Sequence, residues 1–414
     1  MALGSAMVAM KLVPQVMAQE EAEAFIPKTY PTPPYQSPTP ARYNLKYGNL
    51  EARIYAAGTG EFNDNINLSA KDRQSDLSFG PSIKVGFIYP VSEIQLLQFN
   101  LGFGYMWYLN HPSLATFNID PDTRLDYKLT IHKNFVLSFY DNFLVQTDPT
   151  TIATLSGGSS LLDFRRIVNV AGVTARWQAS EKLGLMAGYS YTYDRSLTPL
   201  FENIDRDTHS FNAGAFYALN SLLNVGVMGG YSFTIYRLSQ QNNGSGYYFG
   251  PTVSFKPTKN ITMAASVFYA ANSYDQNGAL HGGVTDTSSF SGITYAASVT
   301  HRMNAWFTHD IKVSRSTELG LGSNFNETTV LQYDVTVPIR RGISGNATFA
   351  YQTYAASGVG GETGDIYMFY LGANYSIARR WGLGASYVLS WKEASVADHN
   401  YLQDRVSLQV SHEF

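Results

Sequence analysis

Cysteine is absent from all 414 residues, so this chain can use no disulfide, no thiolate metal site and no cysteine nucleophile. Charge is scarce. Asp, Glu, Lys and Arg make up 15% of residues, against about a quarter in ordinary globular domains. The net charge of −3 comes with no basic patch, which argues against a nucleic-acid partner. After the N-terminus no apolar run reaches the ~18 residues of a membrane-spanning helix, and the mean hydropathy of −0.15 is too low for a helical membrane protein. There is no HExxH, no Walker loop and no carboxylate pair at a readable spacing, and no cofactor or metal is expected.

What the chain has in excess is aromatic residues, at 14%, with Tyr (29) outnumbering Phe (24), and 35 Gly. A Tyr ring is apolar but its hydroxyl needs water or a partner, which suits the boundary between membrane and water. Residues 404–414 show how hydrophobicity is distributed. Val406, Leu408, Val410 and Phe414 fall on one parity, and Arg405, Ser407, Gln409, Ser411 and Glu413 on the other. Period two means a strand with one apolar and one polar face. One such strand could edge a soluble sandwich. Recurrence along nearly the whole chain is instead the pattern of a barrel with lipid outside and water inside. In 97–109, Leu97, Phe99, Leu101, Phe103, Tyr105, Trp107 and Leu109 alternate with Asn100, Gly102, Gly104 and Tyr108. Residues 183–193 behave likewise. Trp177, Tyr193, Trp381 and Trp391 stand near strand ends, as interfacial girdles require.

The gaps between runs alternate in length. Short ones fall at 90–93, 132–134, 179–182, 220–221, 257–260, 301–304, 338–342 and 378–380. Longer ones fall near 58–75, 110–121, 147–162, 194–207, 237–246, 272–289, 315–328, 355–364 and 392–402. This predicts an all-β fold: a closed antiparallel transmembrane β-barrel of about 18 strands with short periplasmic turns and long external loops. Its last strand should close on the first near Tyr43–Ala57.

Three segments are expected. Residues 1–18 read as a signal peptide, truncated or entire, cleaved after Ala18, although Lys11 and Pro14 interrupt its apolar run. Residues 19–42 form a periplasmic arm whose six prolines (27, 31, 33, 34, 38, 40) favour an extended tether, and this arm is a candidate contact for a periplasmic partner. Residues 43–414 form the barrel.

Some positions break the alternation. Asp141 and Asn169 fall on the apolar parity of their runs, which predicts a register-shifting bulge, and His309 is a milder case. The inner parity collects Arg53, Lys84, Arg124, Asp126, Lys128, Arg176, Asp310, Lys312, Asp334 and Arg405, together with Glu51, as expected lumen-lining residues. Arg124, Asp126 and Lys128 are the densest group. They either pair internally and stiffen the wall or form a patch that favours anionic solutes. The loop from Asn272 to Ser289, with Asp275, Gly278, His281, Gly282, Gly283 and Asp286, is the longest candidate to fold into the lumen. His309 and Asp310 are adjacent on a strand and so face opposite ways. His209 with Asp205 and Asp207, and His281 with Asp286, lie at loop edges without a nucleophile motif, so no enzyme is expected.

Residues 61–87, EFNDNINLSAKDRQSDLSFGPSIKVGF, resemble the first hairpin of the bacterial putative beta-barrel porin 2 family. The resemblance rests on Asp64-Asn65, Ser75-Asp76 and Pro81, and continues as repeated aromatic hairpins to the C-terminus. It implies a porin-like protein, with some members beside exopolysaccharide secretion systems, and no catalytic residues. The C-terminus resembles the assembly signal of outer-membrane barrels, with Phe414, Val410 and Leu408 at its alternate positions. The expected partners are therefore outer-membrane lipid and, through the last strand, the barrel-assembly machinery. The leading expectation is an outer-membrane channel for passive passage of small hydrophilic solutes. The alternatives are an exopolysaccharide export pore and a structural or adhesive barrel with a closed lumen.

Overall fold

A computed structural model describes residues 44–414 except 121, 147–163, 279–285, 305–306 and 321–322. The expected signal peptide and the Pro-rich arm lie outside the described residues. The strands are β1 (Leu45–Tyr47), β2 (Leu50–Asn63), β3 (Asp76–Ser92), β4 (Gln95–Tyr108), β5 (Thr116–Ile119), β6 (Arg124–His132) and β7 (Phe135–Gln146). They continue as β8 (Arg166–Gln178), β9 (Leu183–Ser196), β10 (Arg206–Ala218), β11 (Leu223–Tyr236), β12 (Gly244–Thr258), β13 (Ile261–Tyr274) and β14 (Phe290–Asn304). The last are β15 (Phe307–Leu319), β16 (Phe325–Arg340), β17 (Ile343–Ala356), β18 (Thr363–Ser376), β19 (Trp381–Ala394) and β20 (Tyr401–Glu413).

Apart from β5 and β6, each strand pairs antiparallel with its chain neighbours, and β20 pairs with β2 from Glu413↔Tyr55 to Arg405↔Asn63, which closes the sheet. β5 and β6 occupy one place between β4 and β7, and β1 only extends the seam. The wall therefore has 18 strand positions. Closure removes every free edge, which a lipid environment demands.

The seam sits higher on the first strand than the sequence led us to expect. Gly48, at φ +58°, turns the chain so tightly that β1 folds back on Leu50–Ala52 and takes the lower edge of β2. That edge is then closed to β20, which starts its pairing at Tyr55 instead of reaching down to Tyr43. Asn44 Oδ1 accepts the Ile54 N–H at 3.1 Å, and the Ile54 carbonyl accepts both Asn44 Nδ2 (2.9 Å) and the Phe414 N–H (3.2 Å).

Among the described connections, the short turns all lie at one end and the longer loops at the other. The loops are shorter than expected because β2 runs on to Asn63, β15 to Leu319, and β16 starts at Phe325. Strands of 12–17 residues exceed the ~9–11 that cross a bilayer. The gap at 110–121 also contains a strand, β5.

Parity sorts the faces cleanly. Tyr105, Trp107, Phe211, Val406, Leu408 and Val410 project outward and exposed, while Thr174, Ser266, Thr294 and Gln403 on the other parity are buried. Trp177 and Trp381 mark the turn end of the outer face. At the loop end Trp391 stacks on Tyr367 with ring centroids 4.3 Å apart. Inside, aromatic rings lie flat on glycine. A Cβ on Gly172 or on Gly230 would meet Tyr140 or Tyr248 at 2.5 Å, so glycine there lets the rings fold against the wall.

The bulge expected at Asp141 is not formed. Pairing between β7 and β8 runs unshifted from Phe135↔Trp177 to Gln146↔Arg166. Asp141 stays on the outer parity, opposite Leu125, and accepts a hydrogen bond from Asn169 Nδ2. The two exceptions satisfy each other, so no register shift is needed. His309 also keeps its outer parity, 3.1 Å from the ring of His301.

Candidate functional site

The inner wall is charged from the turn end to near the mouth. Arg53, Lys84, Arg124, Asp126, Lys128, Arg176, Asp310, Lys312, Asp334 and Arg405 all lie on the parity opposite the exposed apolar residues of their strands. Most are paired. Arg53 Nε lies 3.0 Å from Glu413 Oε1 across the seam, and Lys84 Nζ lies 2.5 Å from Asp120 Oδ2. Arg124 binds Asp126 at 2.8 Å with its guanidinium 4.6 Å from the centre of the Tyr140 ring. Lys312 reaches Asp310 at 3.0 Å and Asp334 at 3.7 Å, and its side chain is still 50% exposed. Asp334 also accepts the Thr348 hydroxyl at 2.7 Å.

The three alternate charges of β6 therefore divide. Arg124 and Asp126 neutralise each other, and Lys128 has no hydrogen-bond or ion-pair partner among the described residues. Arg176, two strands away, is in the same position, with its Nε unpartnered. Asp120, the partner of Lys84, lay in what sequence read as a loop and was not singled out. Its position beside Gly102, where a Cβ would come within 2.4 Å of Asp120 Cβ, is what brings it to the wall.

The loop end is built differently. The 3-10 segment Pro199–Ile204, between β9 and β10, carries Phe201 and Ile204 into an apolar cluster with Leu68, Phe164 and Tyr401. Leu68 and Tyr401 flank the seam beside β2 and β20. β9 and β10 lie seven to eight positions round the wall of 18, nearly opposite. The cluster therefore spans the mouth. Phe164 and Phe201 meet edge to face at 5.1 Å.

Arg166, 1% exposed, holds the segment from below. Its Nε binds Asp194 at 2.7 Å, its Nη1 donates to the Phe201 carbonyl at 3.1 Å, and its Nη2 donates to the Ile204 carbonyl at 3.2 Å and to Asp205 at 3.3 Å. On the seam side Asn65 Nδ2 donates to the Leu402 carbonyl at 2.8 Å, and Gln403 Nε2 to the Asn65 carbonyl at 2.9 Å. Sequence reading missed this strap. Its signal was present as Leu200, Phe201 and Ile204, apolar residues in a gap that should be polar.

A second knot ties four other loops. Asp286 Oδ2 accepts the Asn324 N–H at 2.8 Å and the Ser357 hydroxyl at 2.6 Å, while Asn242 Nδ2 donates to the Asp286 carbonyl at 2.8 Å. Burial alone would raise the Asp286 carboxyl, but these hydrogen bonds, with those from Ser288, hold it below the usual carboxylate range. Of the loop expected to fold inward, Asp286 thus does so, whereas His281, Gly282 and Gly283 lie outside the described residues. Nearby, Glu362 gathers Tyr354, Lys392 and His399. Burial again pushes its carboxyl up, and these three partners more than reverse the shift.

The histidine pairs that the sequence offered are not brought together among the described residues, and His281 lies outside them. His309 and Asp310 face opposite sides of β15. His209 lies on the outer face, 2.8 Å from the Tyr189 hydroxyl. Among the described residues no three His, Cys, Asp or Glu side chains are grouped to hold a metal.

Residues 230–414 match the family described as Putative beta-barrel porin 2. No curated protein sequence matches the chain. Among solved structures, the outer membrane protein opdK from Pseudomonas aeruginosa aligns at 14% identity and a TM-score of 0.49, covering 88% of this chain and 98% of its own. OccAB3 from Acinetobacter baumannii aligns at 10% identity and 0.49, covering 89% of this chain and 100% of its own. At such scores the architecture rests on the chain's own strand pairing. The closed sheet and the outward apolar belt mark a β-barrel suited to a lipid membrane, and its C-terminal residues 230–414 are similar to that porin family.

Proposed function

We propose that this barrel is a passive channel for small hydrophilic solutes across the outer membrane, with a bias toward anions. One observation carries the reading: Lys312 faces the interior between two aspartates and yet keeps half its side chain exposed. Arg53 and Lys84 are also more than a third exposed on the inner parity. Charges left unburied inside a closed barrel need water, because desolvating an ion costs far more than its pairing returns. An 18-strand wall is wide enough to hold that water. The anion bias follows from Lys128 and Arg176, whose charge no described carboxylate offsets.

In this reading Arg53, Lys84, Arg124, Asp126, Lys128, Arg176, Asp310, Lys312, Asp334 and Arg405 line the path. Phe414, exposed at the turn end of the seam, and Val410 on the same face engage the assembly machinery. The Pro-rich arm of residues 19–42 hangs in the periplasm, and residues 1–18 direct secretion. No catalytic step is assigned.

The test is ion conductance of the purified chain in planar bilayers. Stepwise conductance, with a reversal potential on the anion side in a salt gradient, is the expected outcome. Silence at every voltage would sink the channel. A second reading, a closed barrel whose loops bind a partner, draws on the packed mouth and predicts that silence. The polysaccharide export reading fits a roofed mouth less well than passage of small solutes does.

A further inference from the structure

We infer that the strap Pro199–Ile204, clamped by Arg166, sets the size limit of the channel. This rests on the channel reading above. The strap lies at the loop mouth, above the charged belt, and reaches from β9 and β10 to the seam wall nearly opposite.

Two features make it an obstruction with a fixed position. Its apolar residues leave water by packing against residues brought from the far wall, Leu68 and Tyr401, so its span is held at both ends. Its backbone carbonyls at 201 and 204 are tied to a guanidinium that is itself fixed by Asp194 and Asp205. Arg166 is therefore a positioning residue: it touches no solute and acts by holding the strap. Arg206 completes the clamp, with its Nη2 2.8 Å from Asp194 Oδ2. Asp194 is thus shared by two arginines, and losing one leaves it still paired.

The division of labour predicts two separable properties. Size exclusion belongs to the strap at the mouth, and ion preference belongs to Lys128 and Arg176 below it. Changing one should leave the other where it was.

The experiment uses the full chain in proteoliposomes and planar bilayers, with uncharged sugars and polyethylene glycols of rising size as the solutes. In the parent, swelling should stop at a defined solute size. The double variant Phe201→Ser/Ile204→Ser should move that limit upward and raise conductance by roughly twofold or more, the scale expected when an 18-strand lumen regains cross-section. The reversal potential should not move. Leu68→Ser, made on the opposite wall, should produce the same change, which covers the case in which the double variant fails to fold. Arg166→Gln should widen the limit to a lesser degree, with heat-modifiable gel mobility unchanged.

If the folded release variants keep the parental limit and conductance, the strap proposal is wrong and the channel reading stands. If the parent is silent and only the release variants conduct, the strap seals the barrel, and both the size-limit proposal and the channel reading of the parent are wrong. If neither conducts, the channel reading falls first.

Discussion

The mouth and the lower lumen are built on the same strands and solve opposite problems. At the mouth, Arg166, Asp194, Asp286 and Asn324 are buried and each is held by several partners. About eight residues further down the wall, Lys128 on β6 and Lys312 on β15 face the interior with much of their side chains exposed. A buried charge must be enclosed by hydrogen bonds, whereas a wet one needs no partner. Residues at the mouth should therefore be sensitive to substitution for structural reasons, and residues in the lumen only for electrical ones.

The largest expected break in that contrast is Arg166→Leu. Asp194 keeps Arg206, but the Phe201 and Ile204 carbonyls lose their donor, and an unmet buried acceptor costs about 1–3 kcal/mol, so the strap should detach. Protease cleavage near residues 199–204 in intact liposomes would report it, and an uncut strap would contradict this account of the clamp.

Acid should loosen the mouth next. The folded Asp286 and Glu362 carboxyls lie below their usual values, so the stability they add is complete above the ordinary carboxylate range and fades as pH falls through it and below. Loop protection from protease should therefore hold at neutral pH and weaken as pH drops below about 4. Asp286→Asn should flatten that pH dependence.

In the lumen, Lys128→Glu with Arg176→Glu should reverse the ion preference in a salt gradient. At Lys128, which is exposed, the change in unfolding should be no more than about 0.5 kcal/mol. The smallest effect is Arg53→Ala. Its pair with Glu413 is part exposed, so the loss should be about 0–1 kcal/mol in a urea titration.

Much of the wall could be read from alternation. Parity fixed the faces of β4, β9 and β20, and the two gap lengths fixed which end is which. That reading works because a strand's period and a barrel's closure are local and repetitive. It failed where a residue's role depends on a distant partner. Asp141 looked like evidence of a bulge because Asn169, 28 positions on, could not be seen as its donor. Asp120, the partner of Lys84, was passed over because it lay in a presumed loop. The strap was missed for the same reason: Phe201 meets Leu68 and Tyr401 only after the whole sheet has closed.

The bracketing of Ile54 has a consequence for when the molecule becomes a barrel. Its peptide is held by Asn44 near the start of the described chain and by Phe414 at its end. Along the same seam Gln409 meets Thr59 across 350 residues of sequence. Joining ends that far apart adds little entropy cost beyond that of a shorter loop, since the penalty grows only with the logarithm of length. The demand is instead one of order in time. Until the last strand arrives, β2 carries a long unsatisfied edge open to other chains. Without Phe414 the Ile54 carbonyl loses the bond that ends the zipper, so such a truncation should show its defect as aggregation before insertion and not as altered transport.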